Sequence, residues 1–379
     1  MKSNYKELGQ FIRQVDVRNK DLKVERLLGI SVQKKFISSI ANTIGTDFRK
    51  YKIVRKGQFG YIADTSRRGD KIGIALLSEE ECIISSSYTV FEITNTTKLN
   101  PEYLMLWFSR DEFDRYARFK SHGSVREIFD WEQLCKIELP VPPIEEQEKI
   151  VRRYKVITDR IELLQKINRN LYQAIRLAYK RVLKDKNVNY LQQPLKDLCS
   201  KIGSGSTPKG GKDTYITDGV TLIRSMNVLD YTFSYDGLAN ISEGQAKALK
   251  NVEIHQNDVL FNITGASVTR CCITPINVIP ARVNQHVMIM RPKAGIYMSL
   301  YIMCSLCDAK NKSKLLGLAQ SGSTRESINK QELENFIIDV PSTKELDKFG
   351  AVTSIIYNNI QINIEEIRKF NLVLKYIKD

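Results

Sequence analysis

Little in this chain equips it for catalysis. Its 379 residues include only three histidines, seven cysteines and two tryptophans. Histidine is the side chain best placed to exchange protons near neutral pH, yet His122, His255 and His286 have no cysteine or serine partner at a recognisable spacing. No triad or paired-carboxylate signature is visible. The cysteines are scattered and odd in number, which fits reduced thiols in a cytoplasm better than a disulfide framework. One CxxC, Cys304-Ser305-Leu306-Cys307, sits in a helical stretch with Cys271-Cys272 upstream. A structural zinc site needs four convergent ligands, so buried thiols are the simpler reading and no metal is expected. The loop at Gly205 fails as a phosphate loop, because Gly211 stands where lysine belongs and Asp213 follows Lys212. There is no glycine-rich cofactor loop after a strand, and no Asn/Asp-Pro-Pro-aromatic motif of amino-methyltransferases. The N-terminus, Met1-Lys2-Ser3-Asn4-Tyr5-Lys6, lacks a signal-peptide apolar region, and no run approaches membrane-spanning length. These absences predict a cytoplasmic protein with no catalytic centre, no metal and no cofactor of its own.

Positive charge, by contrast, is plentiful. Against 43 acidic residues stand 58 lysines and arginines, a net charge of +15, spread over the chain rather than held in a tail. Such a field attracts a polyanion. With 42% apolar residues the chain also has material for real cores.

The most regular stretch runs from Pro142 to about Leu183. Apolar residues recur at Ile150, Tyr154, Ile157, Ile161, Leu164, Leu171, Ile175, Ala178 and Val182, and counting Asn168 the steps alternate four and three. That is the seam of a coiled coil. Pro142-Pro143 before the first turn and Glu145-Glu146 inside it suit a helix N-terminus. The partner lies 199 residues on, without a gap. Gly123-Ser124-Val125-Arg126-Glu127 meets Gly322-Ser323-Thr324-Arg325-Glu326, and Val141-Pro142 meets Val340-Pro341. The seam carries over as Phe349, Thr353, Ile356, Ile360, Asn363, Ile367, Phe370, Leu374 and Ile377. Ser342-Thr343-Lys344-Glu345 adds a capping box. The chain is two copies of one plan, each a globular half followed by a long helix.

The halves themselves mix element types. Lys52 to Val54, Gln58 to Ile62, Ile72 to Leu77 and Ile83 to Ile93 read as strands, and Asn100-Pro101-Glu102 opens a helical pattern to Tyr116. The stretch from Asn19 to Leu28 reads as loop or short helix. After a polar linker at residues 187–193 and a loop from Gly203 to Lys212, Val220 to Ile223, Val259 to Ile263 and Val287 to Met290 read as strands, and Tyr301 to Leu306 as helix. The expected fold class is α+β, with residues 1–143 and 187–341 as globular domains and 144–186 and 342–379 as coiled-coil helices. By the pseudo-twofold repeat the helices pack antiparallel. Their seams, roughly 50 Å long at ~1.5 Å per residue, would space the two domains like a ruler.

Candidate binding residues fall in basic and amide-bearing loops. In the first half they are Lys34, Lys35, Arg67, Arg68, Lys71, Ser86 and Tyr88. In the second they are Ser206, Thr207, Lys209, Lys212, Arg224, Asn227, Thr269, Arg270, Asn284 and Gln285, with His286 adjoining. Arg126 and Arg325, present in both copies, suit a sequence-independent phosphate contact. Singly, each is most simply a solvated surface group. As a set on a basic chain they point to DNA, since Arg, Lys, Asn and Gln suit base edges while Ser and Thr suit phosphates.

The sequence then resembles the specificity subunits of type I restriction–modification systems over nearly its whole length. The resemblance rests on Gly205-Ser206-Thr207-Pro208 followed by Asp218-Gly219-Val220, on Asn257-Asp258-Val259-Leu260 leading to Thr264-Gly265-Ala266, and on Leu139-Pro140-Val141-Pro142-Pro143-Ile144-Glu145-Glu146-Gln147. The second copy departs from that junction at Asp339-Val340-Pro341-Ser342, with Leu346 in place of the glutamine. The first half lacks the Gly-x-Thr-Pro opening and resembles another subtype of target-recognition domain. The resemblance implies two target-recognition domains, each reading one half of a split double-stranded DNA site. It implies two methyltransferase subunits docked on the helices, bringing S-adenosylmethionine, and endonuclease/translocase subunits joining for restriction. A stand-alone DNA-binding regulator and a pure coiled-coil scaffold are the rival readings; the first would bind DNA tightly without other subunits, the second would show no sequence preference.

Overall fold

A computed structural model describes residues 5–39, 45–65, 71–122, 127–185, 188–320 and 326–378. The chain divides into two compact units, residues 1–162 with 368–379, and residues 163–367.

In the first unit, strands β1 (Tyr5–Glu7), β2 (Ile12–Val15), β3 (Leu28–Ile30), β4 (Phe36–Ser38), β5 (Lys52–Val54), β6 (Phe59–Ile62), β7 (Gly73–Leu76), β8 (Cys82–Ile84) and β9 (Thr89–Ile93) precede helices α1 (Pro101–Phe108), α2 (Asp111–Lys120) and α3 (Trp131–Cys135). Strand β10 (Glu138–Pro140) then leads into the long helix α4 (Ile144–Lys184). The central sheet has the order β2-β9-β6-β7 and is antiparallel throughout. Its core is aromatic: Phe59 stacks on Phe91 at 4.8 Å, and Phe108 meets both edge-on. Side sheets pair β3 with β4, β5 with β8 and β1 with β10.

The second unit contains β11 (Tyr190–Pro194), α5 (Leu195–Leu198), β12 (Cys199–Ser204), β13 (Val220–Ile223), β14 (Ala239–Ile241), α6 (Glu243–Ala248), β15 (Val259–Asn262), β16 (Cys271–Ile273), β17 (Ala281–Val283) and β18 (Val287–Pro292). Helices α7 (Gly295–Cys307), α8 (Ala309–Gln320) and α9 (Lys330–Glu334), strand β19 (Ile337–Pro341) and the long helix α10 (Thr343–Lys378) follow, the last residues of α10 belonging to the first unit. Its central sheet, β12-β18-β15-β16, repeats the order found in the first unit, and β11-β19 repeats β1-β10. What differs is the insert. Here it is a three-stranded sheet, β14-β13-β17, with its own apolar cluster around Leu222, Ile241, Val252 and Ile289.

Three expectations need correction. The polar linker at 187–193 contains β11, which pairs antiparallel with β19 and so ties the start of the second half to its end. Ile83 to Ile93 is two strands, because Ser85-Ser86-Ser87-Tyr88 turns between β8 and β9 with the Tyr88 amide donating to the Ser85 carbonyl at 3.1 Å. The first helical pattern breaks at Ser109-Arg110, giving α1 and α2. No helix forms from Asn19 to Leu28.

The long helices carry their seam inward: Ile161, Leu164, Asn168, Ile175, Phe349, Thr353, Ile360 and Leu374 are buried, and Ile150, Tyr154, Ile157, Leu171, Ile356, Ile367 and Phe370 are half-buried. Tyr179 meets Phe349 edge-on at 6.5 Å, while Asn363 Nδ2 donates to Asn168 Oδ1 at 2.8 Å. Later residues of one helix face earlier residues of the other, so the pair is antiparallel. In the first unit Tyr154 and Leu374 line one small pocket, which obeys the same pairing.

Candidate nucleic-acid interface

In the first unit Lys34, Lys35 and Lys71 line one cleft, together with Asp111 and Asp114. Lys34 has φ 60° in the β3–β4 turn. Its buried ammonium pairs with Asp114 Oδ1 at 2.7 Å, donates to the Phe108 carbonyl and lies 4.9 Å from the centre of the Phe113 ring. Asp114 Oδ1 also accepts from the Ile72 amide at 3.1 Å. Lys34 therefore pins the hairpin to α1 and α2, and its charge is neutralised internally. Lys35 and Lys71 stay exposed to solvent. Ser86 is exposed and Tyr88 half-buried on the β8–β9 turn, where Tyr88 packs beside Leu28, Val54 and Val90 rather than in that cleft. Arg67, Arg68, Arg126 and Arg325 lie outside the described residues, as does most of the repeated Gly-Ser-x-Arg-Glu segment.

In the second unit three loops converge. Gly205 passes so close to β17 that a Cβ there would fall 1.7 Å from the Val283 carbonyl oxygen, so only glycine fits. This brings Ser206 and Thr207 beside residues 284–286. Thr207 Oγ1 donates to Gln285 Oε1, Gln285 Nε2 contacts His286 Nε2 at 3.1 Å, and His286 Nδ1 contacts Thr264 Oγ1 at 2.7 Å. Buried Asn284 braces the turn through Oδ1, which accepts from the His286 amide at 3.1 Å. The third loop turns at Gly265, with φ 70°, and its amide donates to the Glu326 carbonyl at 2.9 Å. Thr269 is buried with φ 73°, and its amide closes back on the Asn262 carbonyl at 2.8 Å. That leaves Arg270 half-exposed at the loop's end, while Lys209 is exposed on the first loop and Lys212 lies in the 3-10 turn Gly211–Thr214.

Two other candidates hold a loop together. Asn227 is fully buried; its Oδ1 accepts from the Arg224 amide at 3.0 Å and its Nδ2 donates to the Ser234 and Asp236 carbonyls at 3.0 and 3.1 Å. Arg224 donates to the Gly237 carbonyl and covers the Tyr215 ring at 5.4 Å. Both residues bind the insert's loop to itself. The Asn257-Asp258 pair is equally structural. Asn257 takes φ 68°, and buried Asp258 receives Arg291 through two hydrogen bonds of 2.8 Å.

Sequence reasoning left His286 and Thr264 at the margin, although their sequence neighbourhood, Asn-Gln-His and Thr-Gly-Ala, was on view. Five of the cysteines are buried thiols held in their protonated form. Burial pushes Cys82 up to about 11 and Cys199 up to about 12, and lifts Cys271, Cys272 and Cys304 well above the usual thiol range. Among the described residues no three His, Cys, Asp or Glu side chains converge as a metal site, and no helix is long and apolar enough to cross a membrane.

A duplicated α+β scaffold whose copies differ in their inserts, each followed by a long helix, with cationic loops in both and amide-bearing ones in the second, has the architecture of a two-module DNA reader. A family model for the type I restriction modification DNA specificity domain matches residues 10–173 and again residues 187–369. The chain belongs to that family and carries its domain twice; its function is that of a type I restriction–modification specificity subunit. Its fold is similar to that of the type I restriction–modification S subunit from M. genitalium, with a TM-score of 0.57 at 11% identity over 99% of this chain and 94% of that one. The HsdS subunit from Thermoanaerobacter tengcongensis matches at a TM-score of 0.38 and 16% identity, over 99% of this chain and 95% of that one.

Proposed function

We propose that each globular half, taken as residues 1–143 and 187–341, reads one part of a bipartite, asymmetric DNA target in the cytoplasm. The long helices set the spacer and dock one methyltransferase subunit each, and the chain itself carries out no chemistry. S-adenosylmethionine belongs to those partners, and endonuclease subunits would join them for restriction. The observation that carries this reading is the double family match laid over two copies of one sheet order with unlike inserts. Equal scaffolds suit equal partners, and unlike inserts suit unlike half-sites.

A second repeat supports the docking of two partners. Outside the buried seam, Val156, Leu163 and Leu177 share one heptad position of α4, seven and fourteen residues apart with Asn170 between the last two, and are 70%, 48% and 62% exposed. Ile355, Ile362 and Tyr376 occupy the equivalent positions of α10, 64%, 64% and 80% exposed. A seven-residue apolar stripe left in solvent is a seam awaiting another helix, and having it twice suits two copies of one partner. Mapping methylated adenines genome-wide in a host carrying the assembled system tests the whole reading. One bipartite, non-palindromic motif is expected; a single contiguous palindrome overturns it.

A further inference from the structure

Gln285 is exposed at the meeting point of the three loops of the second unit, yet its amide is not free to turn. Its Oε1 accepts from Thr207 and its Nε2 contacts His286 Nε2 at 3.1 Å, while the far ring nitrogen of His286 contacts Thr264 Oγ1 at 2.7 Å. Thr207 and Thr264 come from loops on either side, each fixed by backbone: Gly205 against Val283, and Gly265 against Glu326. Hydrogen-bond logic settles the rest. With Gln285 Nε2–H donating to His286 Nε2, the neutral ring carries its proton on Nδ1 and donates it to Thr264. With one Nε2–H given to His286 and one Oε1 lone pair taken by Thr207, the amide keeps one Nε2–H and one Oε1 lone pair for a further partner. A donor and an acceptor in one plane match the N7 and N6–H2 groups of adenine in the major groove. Lys209, exposed on the loop that carries Thr207, and Arg270, half-exposed at the end of the loop that carries Thr264, add positive charge to these loops, as suits phosphate contacts.

We propose that Gln285 reads an adenine in the half-site bound by this unit, and that the Thr207–Gln285–His286–Thr264 relay fixes which way its amide faces. Gln285 is the base-contacting residue; Thr207, His286 and Thr264 are positioning residues. The relay removes amide rotation before DNA arrives, so the base pair is read by a preorganised edge. This assignment rests on the reading of the second unit as a DNA-reading module.

The test uses the full chain in a host carrying its methyltransferase, with methylated-adenine mapping of the wild type, Gln285→Ala and Thr264→Val. For Gln285→Ala we expect one A·T position in one half-site to become degenerate, its discrimination falling roughly 5- to 150-fold as for loss of a bidentate base contact. The other half-site and the spacer stay unchanged. Thr264→Val should relax the same position more weakly, without a change in melting temperature, which a merely structural role would not produce. An unchanged motif in Gln285→Ala overturns the assignment, as does relaxation at a G·C position or a uniform loss over all sites. Should Gln285→Ala lower the melting temperature, Gln285→Met keeps the side chain's bulk without its amide and gives the same readout. A wild-type motif that is not bipartite would instead overturn the module reading itself, before any variant is compared.

Discussion

At the entrance to α4 a single buried glutamine satisfies three backbone groups. Gln147 Oε1 accepts from the Asn100 amide at 2.9 Å, and its Nε2 donates to the Lys98 and Pro142 carbonyls at 2.9 and 2.7 Å. The equivalent residue of the second half, Leu346, is buried in that unit's main apolar cluster. The two junctions solve the same docking problem, one by hydrogen bonds and one by apolar contact. Gln147→Leu should cost about 2–4 kcal/mol in urea denaturation, because it strands buried polar groups whose desolvation is then uncompensated. Lys34 makes the second residue-scale case. Removing Asp114 strands a buried ammonium, so Asp114→Ala should destabilise the first unit by about 3–5 kcal/mol. Lys35→Ala, on the exposed side of the same turn, should leave stability within about 0.5 kcal/mol.

Among elements, the two long helices carry two seams each, and the seams do different work. The inner one is apolar apart from Thr353, whose hydroxyl donates to the Phe349 carbonyl, and the place where Asn168 meets Asn363, which are not equivalent positions of the repeat. A buried polar pair of this kind fixes register at some expense of stability. Replacing either asparagine alone with leucine should destabilise, since it orphans the other; replacing both should recover most of the loss, and a double-mutant cycle by thermal denaturation measures the coupling. The outer seam is exposed, so charge there should spare the fold. Val156→Asp with Leu163→Asp should remove one methyltransferase copy from the co-purified complex, Ile355→Asp with Ile362→Asp the other, and all four changes both copies. Melting temperatures should stay within a few degrees. Two copies retained in the fourfold variant would place docking elsewhere.

For the whole molecule, the proposal that the helices set the spacer makes one more demand. A heptad inserted after Asn168, with a matching heptad in α10, keeps the inner seam in phase and adds ~10 Å of helix. The spacer between half-sites should then lengthen by about three base pairs at ~3.4 Å per pair, with both half-sites unchanged in a methylation map. An unaltered spacer in the doubly extended protein would show that something other than the helices measures the target.

The sequence by itself determined what depends on short-range pattern. Heptad spacing and the Pro142-Pro143 and Ser342-Thr343-Lys344-Glu345 helix starts follow from neighbours within a few turns, the duplication and the basic balance can be read by comparing and counting residues, and together they suffice for the α+β class and the family. The tertiary structure decided what depends on partners far along the chain. Both halves share one four-stranded order although their sequences diverge, because many apolar sets fill the same sheet. The stretch taken as a linker became β11 because its strand partner, β19, follows it by almost 150 residues. Spacing also says nothing of which way a polar side chain turns. Lys34 and Asn227 face inward because Asp114 and the Ser234 and Asp236 carbonyls wait there. Gln285 is held at the surface because Thr207, 78 residues away in sequence, closes on it from another loop.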